Sequence, residues 1–196
     1  KILSAFGAEF MLTPAHLGTD GAIEKAYGLA DAEPDRWMLI DQYNNPANPR
    51  AHYDHTGPEI WDQTDGRITH LVAALGTTGT VMGCSRGLKE RNPAIRVVAV
   101  EPFLGHRIQG LKSLKEAYVP GIFDRKLVDE KVNVADEDAF ATARRAPLEE
   151  GLLVGMSSGA SLFAALDLAS RIEEGVVVVI LPDFGERYLS TVLFNG

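Results

Sequence analysis

Residues 69–83 read THLVAALGTTGTVMG, an apolar run that gives way to a loop of glycines and hydroxyls before apolar residues resume. The run at 69–75 has the length of a strand and no helical period, and the glycines allow a sharp reversal into a helix over residues 79–90. Arg91, Asn92 and Pro93 stop that helix. Residues 95–102, IRVVAVEP, then read as a second strand closed by proline.

Working outward, strand-like runs alternate with helical patterns. Strands are expected at 8–13, 37–40, 127–134 and 175–182, the last buried on both sides. Helices are expected at 20–30, from Asn48 toward Trp61 with Asn48 as cap and Pro49 at its first position, and at 158–172. Asp136 is expected to cap a helix through Ala146, where Pro147 should end or kink it. Residues 103–123 are the least regular part. Strands separated by helices pair in parallel, so the expected fold is α/β with a doubly wound parallel sheet.

Composition narrows the functional classes. In 196 residues, 45% are hydrophobic and 23% charged, enough for one substantial core. A formal net charge of -8 without a basic stripe argues against a nucleic-acid footprint. The sequence holds no apolar run of bilayer-spanning length and opens without a charged, apolar leader, so a cytoplasmic location without membrane partners is expected. The lone Cys84 falls inside a helix and reads as a small core residue rather than a nucleophile. His52 and His55 lie in an amide-rich segment without a metal-ligand array, so no metal is expected.

In an open parallel sheet, ligands bind beyond the carboxyl ends of the strands. The GTTGT loop at 76–80 lies at such an end, where backbone amides and threonine hydroxyls suit an anion; the same loop also fits an ordinary tight turn. It contains neither G-x-G-x-x-G nor the lysine of a Walker loop. A second glycine-and-hydroxyl turn, EGLLVGMSSGASLF at 150–163, places Ser157 and Ser158 where one of them would cap a helix. Two such turns could hold two ends of one cofactor.

Taken together and in order, QYNNPANPRAHYDHTGPEIW, GTTGT, VAVEP, EGLLVGMSSGA and GERYLST resemble the cysteine synthase family, O-acetylserine sulfhydrylases of pyridoxal-phosphate fold type II. The likeness runs along essentially the whole chain. The second threonine of GTTGT and YVPGIFD at 118–124 resemble the cysteine synthase B type. The resemblance implies pyridoxal 5′-phosphate as cofactor, its phosphate held by Gly76, Thr77, Thr78, Gly79 and Thr80 and its ring nitrogen met by Ser157. A neutral hydroxyl at a helix start stabilises a pyridinium less than a carboxylate would, which suits β-elimination. Gln42 matches the glutamine near the substrate carboxylate, although turn hydrogen bonding fits it too.

The implied reaction is β-replacement on O-acetylserine through an aminoacrylate, with sulfide or thiosulfate as donor, to give L-cysteine. The Schiff-base lysine of the family matches none of the seven lysines, Lys1, Lys25, Lys89, Lys112, Lys115, Lys126 and Lys131. The chain is therefore expected to be incomplete at its N-terminus, with no catalytic lysine of its own. Residues 1–45 are expected to be the tail of a small mobile domain and 46–196 most of a large cofactor-binding domain, in a homodimer. Lys112, with His106 or Arg107, is expected either to admit a larger anionic donor or to be a solvated lysine. Alternatives are cystathionine β-synthase, or a non-catalytic relative if this chain is the complete protein.

Overall fold

The computed structural model describes residues 2–116 and 118–195; Lys1 lies outside them. The chain divides into two units, Lys1–Asp41 and Gln42–Gly196.

The first unit carries helix α1 (Ile2–Ala5), a 3-10 turn at Ala15–Leu17 and helix α2 (Gly18–Ala32). The strands expected at 8–13 and 37–40 do not form. A strand needs a neighbour to complete its ladder, and the first unit has none among its described residues. Their apolar side chains, Phe10, Met11, Leu12, Met38 and Ile40, are exposed.

The second unit starts with a helix in three parts: α3 (Ala47–Ala51), a π-helical turn at His52–Thr56, and α4 (Gly57–Gln63). Then come β1 (His70–Ala74), α5 (Gly79–Arg91), β2 (Arg96–Pro102), β3 (Glu130–Val134), α6 (Asp136–Glu149), α7 (Met156–Arg171) and β4 (Val177–Val179). All pairings are parallel and the strand order is β3-β2-β1-β4. The doubly wound expectation holds.

The period of two along the strands sorts the core into two layers. Val72, Val98, Val100 and Val134 face α6 and α7, where Ala139, Phe140, Ala143, Ala160, Ala164 and Leu168 are buried against them. Leu71, Ala73, Leu75, Val97 and Ala99 face the other way, onto Ile60, Val81, Met82, Cys84 and Leu88. Cys84 is fully buried, and burial pushes its thiol up to about 12, in keeping with a core role.

Several boundaries moved for tertiary reasons. β4 forms only over Val177–Val179 and is half-buried rather than covered on both sides, because it pairs with β1 at an edge of the sheet. Asn48 does not cap its helix: Pro46 is the N-cap, and Asn45 Oδ1 accepts the Ala47 amide at 2.9 Å. Asp136 is the first residue of α6 rather than its cap, and its carboxylate accepts the Arg107 N–H instead, at 2.9 Å. α6 continues to Glu149, past Pro147, in its last turn. Neither Ser157 nor Ser158 caps α7, which begins at Met156 after Gly155. Among the described residues of 103–123 there is no helix or strand.

The layer on the α5 side depends on close backbone approach. A Cβ at Gly83 would overlap the Pro49 carbonyl oxygen and lie 2.6 Å from His52 Cβ. Gly83→Ala in the native protein is expected to force the two helices apart and cost about 2 kcal/mol, the usual range for overpacking. The check is a lowered midpoint in chemical denaturation; an unchanged midpoint would contradict the packing described.

Candidate functional site

Residues 76–78 leave the carboxyl end of β1, and Thr78 is the N-cap of α5 in a left-handed conformation, φ 71°. A threonine in that region is strained by about 1 kcal/mol or more. Thr78 is also 2% exposed, and its Oγ1 has no hydrogen-bond partner among the described residues. A strained backbone and an orphaned buried hydroxyl at one residue point to a ligand.

Two neighbours set the loop in place. Asn48 Nδ2 donates to Thr77 Oγ1 at 2.9 Å and to the Gln42 carbonyl at 2.7 Å. Its carboxamide lies where a Cβ of Gly79 would be, so only glycine fits there. His52 Nε2 lies 3.2 Å from Thr80 Oγ1 and its Nδ1 3.0 Å from Thr56 Oγ1, joining the π turn to the start of α5. A π turn inside an α-helix often marks a functional site.

The loop borders a cavity of about 320 Å³. Gly76, Thr77, Thr78, Gly79, Thr80 and Ser157 all line it, together with Gly110, Asp183, Arg187 and Tyr188. The first amides of α5 have no intrahelical acceptor, and with the helix dipole they favour an anion at this end. A larger cavity of about 530 Å³ lies beside Arg50, Tyr53, Arg86 and Glu90 and contains none of the residues expected from sequence. Much of its polar wall is already paired, Tyr53 with Glu90 at 2.6 Å and Arg50 with Asp54 at 2.5 Å. The smaller cavity is therefore the candidate site.

At the opposite side of that cavity, Ser157 is buried in the first turn of α7. Its amide and that of Ser158 are capped from a distant segment: Asp183 Oδ2 accepts Ser157 N–H at 3.2 Å and Oδ1 accepts Ser158 N–H at 2.8 Å. Residues 153–155 and 183–185 run antiparallel through the Val154–Phe184 bridge, which delivers Asp183 to the helix start. Ser157 Oγ thus has no capping task and no protein partner among the described residues. No local sequence pattern pointed to Asp183. Only the PD turn after an apolar run could have drawn attention to it.

Two expected residues lie elsewhere. Gln42 is outside the cavity lining, and its carbonyl is tied to Asn48. Lys112 is also outside the lining and is not solvated: it is 3% exposed, with Nζ 2.8 Å from Glu116 Oε2. Burial alone would raise the Glu116 carboxyl, but hydrogen bonds from Lys112 and the Ser113 amide hold it below the usual carboxylate range. His106 joins the same carboxylate at 3.3 Å, while Arg107 pairs with Asp136 at 3.1 Å. These residues fasten the irregular segment. Among the described residues, no group of three or more His, Cys, Asp or Glu could hold a metal, and no helix is long and apolar enough to cross a membrane.

Comparison with known proteins identifies the family. A family model described as pyridoxal-phosphate dependent enzyme matches residues 1–183. Cysteine synthase from Aquifex aeolicus is 48% identical, covering 100% of this chain and 61% of that protein. Cysteine synthase B from Salmonella typhimurium is 44% identical, covering 98% and 63%. Among solved structures, cysteine synthase from Entamoeba histolytica aligns with TM-score 0.90 and 38% identity over 100% of this chain and 60% of that one. O-acetylserine dependent cystathionine beta-synthase from Helicobacter pylori aligns with TM-score 0.90 and 39% identity over 98% and 65%. The chain thus spans about three fifths of the length of the curated relatives it matches.

Burial holds His52 below its ordinary value of 6.5, and burial followed by Arg96 does the same to His70. Between 6.5 and those lower folded values the unfolded chain binds the extra protons, so stability falls as pH falls through that window. The depressed Glu101 and Glu116 act later, their contribution being lost only below their ordinary 4.5. Chemical denaturation of the native protein from neutral pH to pH 5 is expected to show the first decline. His52→Gln should flatten it, and an unaltered slope would remove His52 from the account.

Proposed function

Because the chain belongs to the pyridoxal-phosphate dependent enzyme family, we propose that the native protein is a cysteine synthase, nearest the B type. It replaces the β-substituent of O-acetylserine, or a close analogue, with a sulfur nucleophile such as sulfide or thiosulfate to form L-cysteine. The observation that carries this reading is that Gly76–Thr80 and Ser157, taken from two distant turns, border one cavity. The buried orphan hydroxyl of Thr78 and the unpartnered hydroxyl of Ser157 fit the two polar ends of pyridoxal phosphate.

In this reading Gly76, Thr77, Thr78, Gly79 and Thr80 hold the phosphate, and Ser157 meets the ring nitrogen. When bound, the cofactor supplies an electron sink for the α-carbon of the amino-acid substrate. Asn48 keeps Thr77 Oγ1 turned into the loop, and His52 does the same for Thr80 Oγ1. Ser157 offers the ring a neutral hydroxyl, which limits charge accumulation there and favours departure of a β-substituent. Gln42 is assigned to the substrate carboxylate. Lys112, committed to Glu116, anchors residues 112–116 and receives no donor-binding role. The proton-moving role is assigned to no lysine of this chain: Lys89 pairs with Asp129 and Lys131 with Glu101, and among the described residues no lysine lines the cavity. We further infer a cytoplasmic homodimer acting on small molecules.

The direct test is the visible absorption spectrum of the native protein with pyridoxal phosphate. The cofactor band is expected to shift on adding O-acetylserine and to return on adding sulfide; a band indifferent to O-acetylserine would refute the proposed substrate. Thr78→Gly separates strain from binding. It should leave the protein about 1 kcal/mol more stable without cofactor. It should also weaken pyridoxal-phosphate affinity about tenfold, because a hydrogen bond to a charged group is lost.

A further inference from the structure

Asp183 joins three separate pieces of the site. Its Oδ1 accepts the Ser158 amide at 2.8 Å and the Ser158 hydroxyl at 2.5 Å, and its Oδ2 accepts the Ser157 amide at 3.2 Å. Its own carbonyl accepts the Gly155 amide at 2.9 Å. Tyr188, buried, lies beside the same carboxylate; burial, reinforced by that carboxylate, pushes its phenol above the usual range, so it stays protonated. Space fixes the arrangement: a Cβ at Gly155 would overlap both the Asp183 carboxylate and the Tyr188 ring.

Two consequences follow for the end of the cavity where Ser157 lies. With the amides of Ser157 and Ser158 satisfied from outside, the Ser157 hydroxyl is not drawn into capping its own helix. A full negative charge also sits on a helix start that carries roughly half a positive charge. The other cationic group lining this cavity is Arg187, which is exposed and therefore screened by solvent.

We propose that Asp183 is a positioning residue for the ring end of the cofactor, acting through Ser157. It leaves the Ser157 hydroxyl for the ring nitrogen and offsets the α7 dipole, so that nitrogen remains a good hydrogen-bond acceptor. This rests on the cofactor reading above.

The test uses the native protein loaded with pyridoxal phosphate labelled at the ring nitrogen and read by NMR. Asp183→Asn keeps the shape and removes the charge. It is expected to move the ring-nitrogen resonance toward its non-hydrogen-bonded position, and Tyr188→Phe is expected to move it the same way by less. Turnover should fall on the order of tenfold, as for other groups that orient a direct partner, with KM for the amino-acid substrate unchanged. In a Ser157→Ala background Asp183→Asn should add only the smaller shift that comes from the helix dipole. A resonance unmoved by Asp183→Asn, or an undiminished shift in the Ser157→Ala background, would overturn the proposal. Should Asp183→Asn fail to fold, a native resonance in Tyr188→Phe overturns it equally. Failure of the native protein to bind pyridoxal phosphate would instead bring down the cofactor reading and this inference with it.

Discussion

The site depends on how closely the helix over residues 47–63 lies against α5. Gly79 and Gly83, one turn apart on α5, present bare backbone to that helix. Any side chain there would separate two backbones that now touch, because a packed interior has no slack to take up an added methyl group. The contact brings Asn48 and His52 over the loop at 76–80, where one carboxamide and one imidazole fix two threonine hydroxyls. Without that approach the loop would be a turn between a strand and a helix, with no wall on one side.

Buried carboxylates do the equivalent work where no regular structure exists. Glu101, at the end of β2 and fully buried, accepts the Leu114 amide at 3.0 Å and the Lys131 ammonium at 2.5 Å. Glu116 gathers Ser113, Lys112 and His106, and Asp183 gathers the start of α7. A carboxylate accepting several N–H groups repays its own desolvation, so each holds irregular chain in place. Gly110 and Leu111, next to one of these anchored stretches, are part of the cavity wall.

How much could be read in advance varied with the range of the interactions. The central strands β1 and β2 were legible because they are buried on both faces and read as plain apolar runs. The turns at Gly76–Thr80 and Ser157 that border the cavity stood out because glycine and hydroxyl at a strand or helix end are local signals, whereas the roles expected of them came from the family resemblance. The strands expected at 8–13 and 37–40 were misread because an apolar run states a preference that only a neighbouring strand can satisfy. Capping was misread in three places, at Asn48, Asp136 and Ser157 or Ser158, each time because the side chain or the amide found a partner far along the chain.

Sequence by itself determined the alternation of strand and helix around the central strands, the doubly wound class and the place of the glycine-and-hydroxyl loop at 76–80, all of which rest on periodicity and on residue types acting over a few positions. Tertiary structure alone decided that Asn48 and His52 serve the loop rather than their own helix, that Lys112 is buried against Glu116, and that Asp183 caps α7 across 25 residues. The physical reason is the same in each case. A polar side chain removed from water must find a partner, and which partner it finds depends on the packing of the backbone around it.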